Sequence, residues 1–220
     1  ANAHTQARYV LPEPVALLMR RFPKVKVALH QGNPEQVAQM LIEERADIGL
    51  ATESLAGFDE LVTLPCYTWQ HMMVVPAAHA LAAVERPTLE QLAAVPLVSY
   101  HPSFTGRTRI DAAFARAQLK PDIVLEAIDS DVIKTYVRSG LGVGIVAEMA
   151  TRDDPVGGDL VSRSVGHLFG DNVSRVAFKR GAYLRSFVYT FAELLSERLT
   201  RALIVKAMAG SSEAGTDPAL

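Results

Sequence analysis

The sequence predicts an α/β fold of two subdomains with a cleft between them. Helical and strand signals alternate almost throughout its 220 residues, the pattern of layered α/β folds. The alternation falls into two similar series, and the final third returns with one more strand and a long closing helix. Ligands in such folds sit between the halves, at the carboxyl ends of strands. The predicted division is residues 1–67 with 171–220 as subdomain I and 68–170 as subdomain II.

The elements follow in order. A polar cluster (Asn2, His4, Thr5, Gln6) runs into a helical apolar pattern, Tyr9, Val10, Leu11, Val15, Leu18 and Met19. This predicts a helix over 5–21, capped by Thr5 and stopped before Pro23, because the residue preceding proline disfavours αR. Alternation over 25–30 predicts a strand, and Asn33-Pro34-Glu35 opens a helix running to residue 45. A strand over 46–51 ends at Thr52, and an apolar stretch over 61–67 leads through Trp69 into a strand over 71–75. The second series is a helix near 88–95, a strand over 97–100, a helix over 106–118, a strand over 122–127, a helix over 131–139 and a strand over 143–146. A strand over 172–178 and an amphipathic helix over 183–208 close the fold, and the Ser/Gly/Ala/Asp-rich tail over 210–220 is predicted disordered.

Composition narrows the function classes. A net charge of −2 offers no basic face for nucleic acid. The single Cys66 excludes an intrachain disulfide framework and any multi-cysteine metal site. No charged-then-apolar leader opens the chain, and no apolar run reaches the roughly 18 residues that could span a bilayer. The expected setting is cytoplasmic, with no membrane partner, although a mature secreted protein would also lack a leader. The first residues resemble a strand-to-helix turn with no strand to feed it, so the chain is expected to be a fragment.

The residues that suggest chemistry are threonines at corners between elements. Thr5 and Gln6 open the first helix, Thr52 follows a strand, and Thr105 opens a helix of the second series. Each alone reads as a helix cap. Three such corners drawn from both halves also suit a cleft for a small anion, since hydroxyls, amides and free backbone N–H groups bind a fully ionised anion without a counter-charge. A carboxylate acceptor would select a protonated anion such as hydrogen phosphate, so donors alone suit sulfate better. Arg8, Arg107 and Arg109 either add positive potential or face solvent. Trp69, the only tryptophan, lies at a predicted crossing between the halves, where it can serve packing, ligand contact or both. Catalysis finds little support. Cys66 and His71 lack a third orienting group, and the six histidines lack metal-ligand spacing. Gly140-Leu141-Gly142-Val143-Gly144 ends a helix and enters a strand, the reverse of a dinucleotide loop. The chain reads as a binding protein with no metal or cofactor, and not as an enzyme.

Several segments together resemble the effector-binding domain of LysR-type transcriptional regulators. Val137-Arg138-Ser139-Gly140-Leu141-Gly142-Val143-Gly144-Ile145-Val146 is similar to that family generally. His4-Thr5-Gln6-Ala7-Arg8-Tyr9, Ala51-Thr52-Glu53, Leu64-Pro65-Cys66-Tyr67-Thr68-Trp69, Phe104-Thr105-Gly106-Arg107 and Asp131-Val132-Ile133-Lys134-Thr135-Tyr136-Val137 resemble its CysB/Cbl branch, which governs sulfur assimilation and organosulfur use. The resemblance implies a type II periplasmic-binding-protein-like fold and a cleft for sulfate or a related effector: thiosulfate, acetylated serine or adenylyl sulfate. It places the ligand on Thr5, Gln6, Thr52 and Thr105, with Trp69 at the cleft. Ala3 stands where the branch pattern has a threonine hydroxyl, a loss of about 1 kcal/mol for a typical hydrogen bond. Ser103, or His4 if oriented inward, is the candidate replacement. The family further implies a homodimer or homotetramer, with DNA bound only through an N-terminal helix-turn-helix outside this chain. The alternative is a periplasmic-type solute-binding protein for sulfate or a related oxyanion. An enzyme carrying a cofactor on Cys66 is the third reading.

Overall fold

A computed structural model describes residues 1–155 and 157–210. The N-terminal segment forms two helices, α1 (His4–Tyr9) and α2 (Pro12–Arg21), where one was predicted. Pro12 and Pro14 are the cause: a proline removes a backbone donor and clashes with the turn before it, so α1 ends and α2 restarts with a proline in its first turn. The N-cap of α1 is Ala3, not the predicted Thr5, and no side chain caps it. Residues 25–30 carry no strand ladder. Their alternation holds only in part, since Val27 packs on the core while Leu29 is exposed, and pairing is confined to an isolated parallel bridge between Asn2 and Gln31 and the bond from Asn2 N–H to the His30 carbonyl at 2.9 Å.

The helix α3 (Pro34–Ile42) opens with a reciprocal capping box between Asn33 and Gln36, and stops short of residue 45 where Glu44 turns left-handed at φ 57°. Then come β1 (Gly49–Thr52), a 3-10 turn over Glu53–Gly57, β2 (Leu61–Trp69) and β3 (His71–Pro76). The second series is α4 (Leu89–Ala93), β4 (Pro96–Tyr100), α5 (Thr105–Arg116), β5 (Asp122–Ala127), α6 (Ser130–Arg138) and β6 (Val143–Ala147). Two elements had no counterpart in the sequence reading, β7 (Leu160–Ser164) and α7 (Gly166–Phe169). The chain ends with β8 (Asn172–Lys179), α8 (Ser186–Leu195) and α9 (Arg201–Met208). The predicted closing helix is broken because Ser196 is extended and the Thr200 hydroxyl caps Leu203 N–H at 3.2 Å, starting a new helix. The tail predicted disordered lies, from residue 211 on, outside the described residues. Among the described residues no helix is long and apolar enough to cross a membrane.

Two sheets organise these elements. The first is antiparallel, in the order β1-β8-β2, and the second is mixed, β5-β4-β6-β3-β7. Each is buried on both faces. Leu18, Leu50, Phe178 and Phe191 pack on one side of the first sheet, and Val37, Leu41 and Leu55 on the other. Successive residues of β3 divide the second sheet in the same way, as strand geometry requires: Met73 joins Ile110 and Phe114, while Val74 joins Ile133 and Val137.

The chain passes between the sheets twice, through Gln70 and through Gly170-Asp171. The two crossings lie side by side, because Trp69 and Asn172 are partners in the β2–β8 ladder. Gln70 donates to Asp171 at 2.7 Å, and Asn172 Nδ2 lies 3.3 Å from His71 Nδ1. His71 is fully buried, and its ring meets Trp69 and Phe169 edge-on at 5.1 and 5.5 Å.

Two predictions follow from this packing. A Cβ at Gly142, between α6 and β6, would lie 2.3 Å from the Pro96 carbonyl oxygen, and the backbone cannot yield cheaply. Gly142→Ala is expected to lose about 3 kcal/mol in urea denaturation. Burial, and after it the charge of Arg109, also lowers the His71 imidazole from 6.5 to about 3. Native His71 therefore stays neutral where an unfolded chain takes up a proton, so stability falls as pH drops from 6.5 towards 3. The contribution is on the order of 1 kcal/mol per pH unit, and urea titrations at several pH values should show a shallower slope for His71→Asn than for the parent.

Candidate functional site

The three threonine corners meet between the sheets. Thr5 comes from α1, Thr52 from the end of β1 and Thr105 from the first turn of α5. All line one cleft with Ala3, His4, Gln6 and Trp69. None of the three hydroxyls caps a helix. Thr52 precedes its 3-10 turn without a side-chain cap bond, and α5 is preceded by Phe104, which offers none. Instead the hydroxyls reach across the cleft. Thr52 Oγ1 and Thr105 Oγ1 share a hydrogen bond of 2.6 Å, Ser54 Oγ lies 3.0 Å from Thr105 Oγ1, and Thr5 Oγ1 lies 3.4 Å from Ser130 Oγ on α6.

Ala147 N–H donates to the Tyr100 hydroxyl at 2.9 Å, and the Tyr100 and Ser130 hydroxyls share a bond of 2.5 Å in which either can donate. Burial, first among several causes, raises the Tyr100 phenol above its ordinary value and keeps it neutral. Ser54, Ser130 and Tyr100 belong to this network and were not foreseen. Ser and Tyr are too common for their types to be a signal, and only the topology brings them here.

Gln6 and Trp69 form the inner wall. Gln6 is buried, its amide donates weakly to Ser174 Oγ at 3.5 Å, and its Oε1 has no partner. Trp69 is 6 % exposed and its indole N–H is likewise unpartnered, an unusual state for a buried Trp. Ala3 lines the cleft with its methyl group while its N–H donates to the Leu50 carbonyl at 3.3 Å. His4 lines the cleft too. Ser103 lies outside the lining, exposed and bonded to His101 Nδ1 at 2.9 Å.

Among the described residues, no Asp, Glu, Lys or Arg lines the cleft. The cations around it are engaged elsewhere. Arg8 pairs with Asp131 at 2.6 Å, Arg107 with Asp111 and Glu126 at 2.7 and 2.8 Å, Arg109 with Glu53, and Lys134 with Asp154 at 2.8 Å. Asp131 also accepts from the Tyr9 hydroxyl at 2.6 Å, which ties α1 to α6. Cys66 is packed in the core of the first sheet, and burial raises its thiol to about 12. Neither the thiolate needed for nucleophilic attack nor access for a cofactor is available there. Among the described residues no three His, Cys, Asp or Glu converge as a metal site.

Known proteins share this sequence and architecture. A family profile described as the LysR substrate binding domain matches residues 2–200. The HTH-type transcriptional regulator CysB of Burkholderia cenocepacia is 54% identical over 213 residues, covering 97% of this chain and 68% of that protein. The regulator SsuR of the same organism is 46% identical over 204 residues, covering 93% of this chain and 66% of that protein. The chain thus spans about two thirds of the length of these curated relatives. Among solved structures, the cofactor-binding domain of the Cbl transcriptional regulator superposes with a TM-score of 0.89 at 42% identity, over 96% of this chain and 92% of that one. The architecture is accordingly the two-subdomain, periplasmic-binding-protein-like fold of such domains. With the profile spanning nearly the whole described chain and the named relatives all transcriptional regulators, the chain belongs to the LysR substrate-binding-domain family.

Proposed function

We propose that this chain is the effector-binding, regulatory part of a LysR-type transcriptional regulator of sulfur metabolism, and that it senses a small anion in the cleft between its halves. The observation that carries the reading is the set of donors. Hydroxyls of Thr5, Thr52 and Thr105, the buried Gln6 amide and the unpartnered Trp69 N–H come from both sides of a cleft lined by no carboxylate. Thr105 and Gly106, in the uncapped first turn of a twelve-residue helix, add backbone amides. A site rich in donors holds a fully ionised oxyanion well and lacks the carboxylate acceptor that would select a hydrogen phosphate. Sulfate is the effector we take, and thiosulfate, acetylated serine and adenylyl sulfate are the other candidates.

Such a ligand would act on the arrangement of the halves. An anion accepting from both Thr52 and Thr105 replaces their direct 2.6 Å bond, so it interacts differently with different spacings of the two subdomains. We take residues 1–67 with 171–220 as one subdomain and 68–170 as the other. DNA contact falls to an N-terminal helix-turn-helix outside these residues, the working form is a homodimer or homotetramer, and the setting is cytoplasmic. A solute-binding protein serving a transporter would use the same fold, but the named relatives are regulators.

Calorimetric titration in sulfate-free buffer tests this. The parent chain should bind sulfate saturably, and Thr52→Ala, which removes a hydrogen bond to a charged group, should bind about 10- to 100-fold more weakly. Equal affinity in the two proteins would move the site elsewhere. Silence towards sulfate with a response to acetylated serine would keep the regulator and change the effector.

A further inference from the structure

Beside the threonines, a charged contact also joins the two sides of the cleft. Glu53 follows Thr52 directly, and Arg109 lies one turn after Thr105 on α5. Residues four apart share a helix face, and helical side chains lean back towards the N-terminus, so Arg109 lies along the turn that presents Thr105. Its guanidinium donates through Nε and Nη2 to Glu53 Oε1, at 2.8 and 2.5 Å. The second carboxylate oxygen accepts Val173 N–H at 3.2 Å, just past a crossing. Both side chains are about a third exposed, at 36 % and 28 %. Arg107, on the same helix, is instead committed to Asp111, Glu126 and the Tyr100 carbonyl. Of the two arginines in the first half of α5, Arg109 is therefore the one held by a single carboxylate.

We infer that Glu53 is a specificity-determining residue of the cleft: by occupying Arg109 it keeps the site an uncharged set of hydroxyl and amide donors. The inference rests on the reading of the cleft as an oxyanion site. With Glu53 neutral, the Arg109 fork becomes available to an anion beside Thr105, and charge-assisted bonds from a guanidinium are stronger and geometrically selective. Uptake then depends on charge, and doubly charged anions gain most. With Arg109 neutral, the Glu53 carboxylate stands uncompensated beside the threonines and repels the same anions.

The test is calorimetry of sulfate and of inorganic phosphate at pH 8 on four proteins: the parent chain, Glu53→Gln, Arg109→Gln and the double variant, at two ionic strengths. Gln at 53 keeps an acceptor for Val173 N–H, and melting curves check that each variant is folded. Glu53→Gln should tighten both anions about tenfold, sulfate at least as much as phosphate, with a steeper salt dependence. Arg109→Gln should weaken them about tenfold or more, and the double variant should return to within about threefold of the parent, as expected when charge is the coupled quantity. If the pair merely clamps the halves together, both single variants break the same clamp and shift binding in the same direction, which overturns the inference. No change in Glu53→Gln overturns it as well. A parent that ignores both anions while Glu53→Gln binds them removes the oxyanion reading of the parent and leaves the role of Glu53 standing. Silence in all four proteins removes both.

Discussion

The pairing of β2 with β8 is the constraint on which the rest of the molecule depends. Both strands leave the first sheet at the same end, and their last partners are Trp69 and Asn172. Both passages to the second sheet are therefore adjacent, and Gln70, Asp171, Asn172 and His71 bond across them. A chain crossing at one point only would leave the two sheets free to pivot in any direction. Two adjacent crossings restrict relative motion to a bend about a common line, and they bring the loops after β1 and before α5 to face each other. The meeting of Thr52 with Thr105 follows from that line.

For the anion site we propose, this cleft is chemically uncommon, because no Asp, Glu, Lys or Arg is among its described lining residues. Arg8, Arg107, Arg109 and Lys134 surround it, and each is held by a carboxylate. What remains are hydroxyls ordered by bonds such as those from Ala147 N–H to Tyr100 and between Tyr100 and Ser130, one buried amide and one indole N–H. Neutral donors hold an anion by orientation rather than by net charge. In the proposed site an anion held this way depends strongly on donor geometry, which suits a sensor whose two halves report on whether the ligand spans them. The Trp69 N–H is buried without a partner, a costly state for a donor, and it is placed where the crossings begin.

Much of this was legible in the chain, and the misses have physical causes. The cap expected at Thr5 failed, since Ala3 precedes α1, but the one at Asn33-Pro34, with its reciprocal box to Gln36, was reliable. Apolar period alone was not, because it carries through breaks that proline or serine imposes, as at Pro12 and Ser196. The strand expected over 25–30 failed for another reason. Alternation describes which side chains face the core and says nothing of whether a neighbouring backbone is there to pair. Of the site, the donor types at Thr5, Thr52 and Thr105 could be read, but that their hydroxyls face the cleft instead of capping helices depends on the fold. The partners Ser54, Ser130 and Tyr100, and the Glu53–Arg109 contact across 56 positions, exist only through the fold.

The most direct measurement of the central claim is anomalous diffraction from crystals of this chain grown without sulfate and soaked in selenate, which has the shape and charge of sulfate and marks its own position. The account predicts one dominant selenium peak between the two sheets, within hydrogen-bonding distance of the Thr52 and Thr105 hydroxyls, whose direct bond would be gone. A dominant peak on another surface, or an unbroken Thr52–Thr105 bond at saturating selenate, would contradict it.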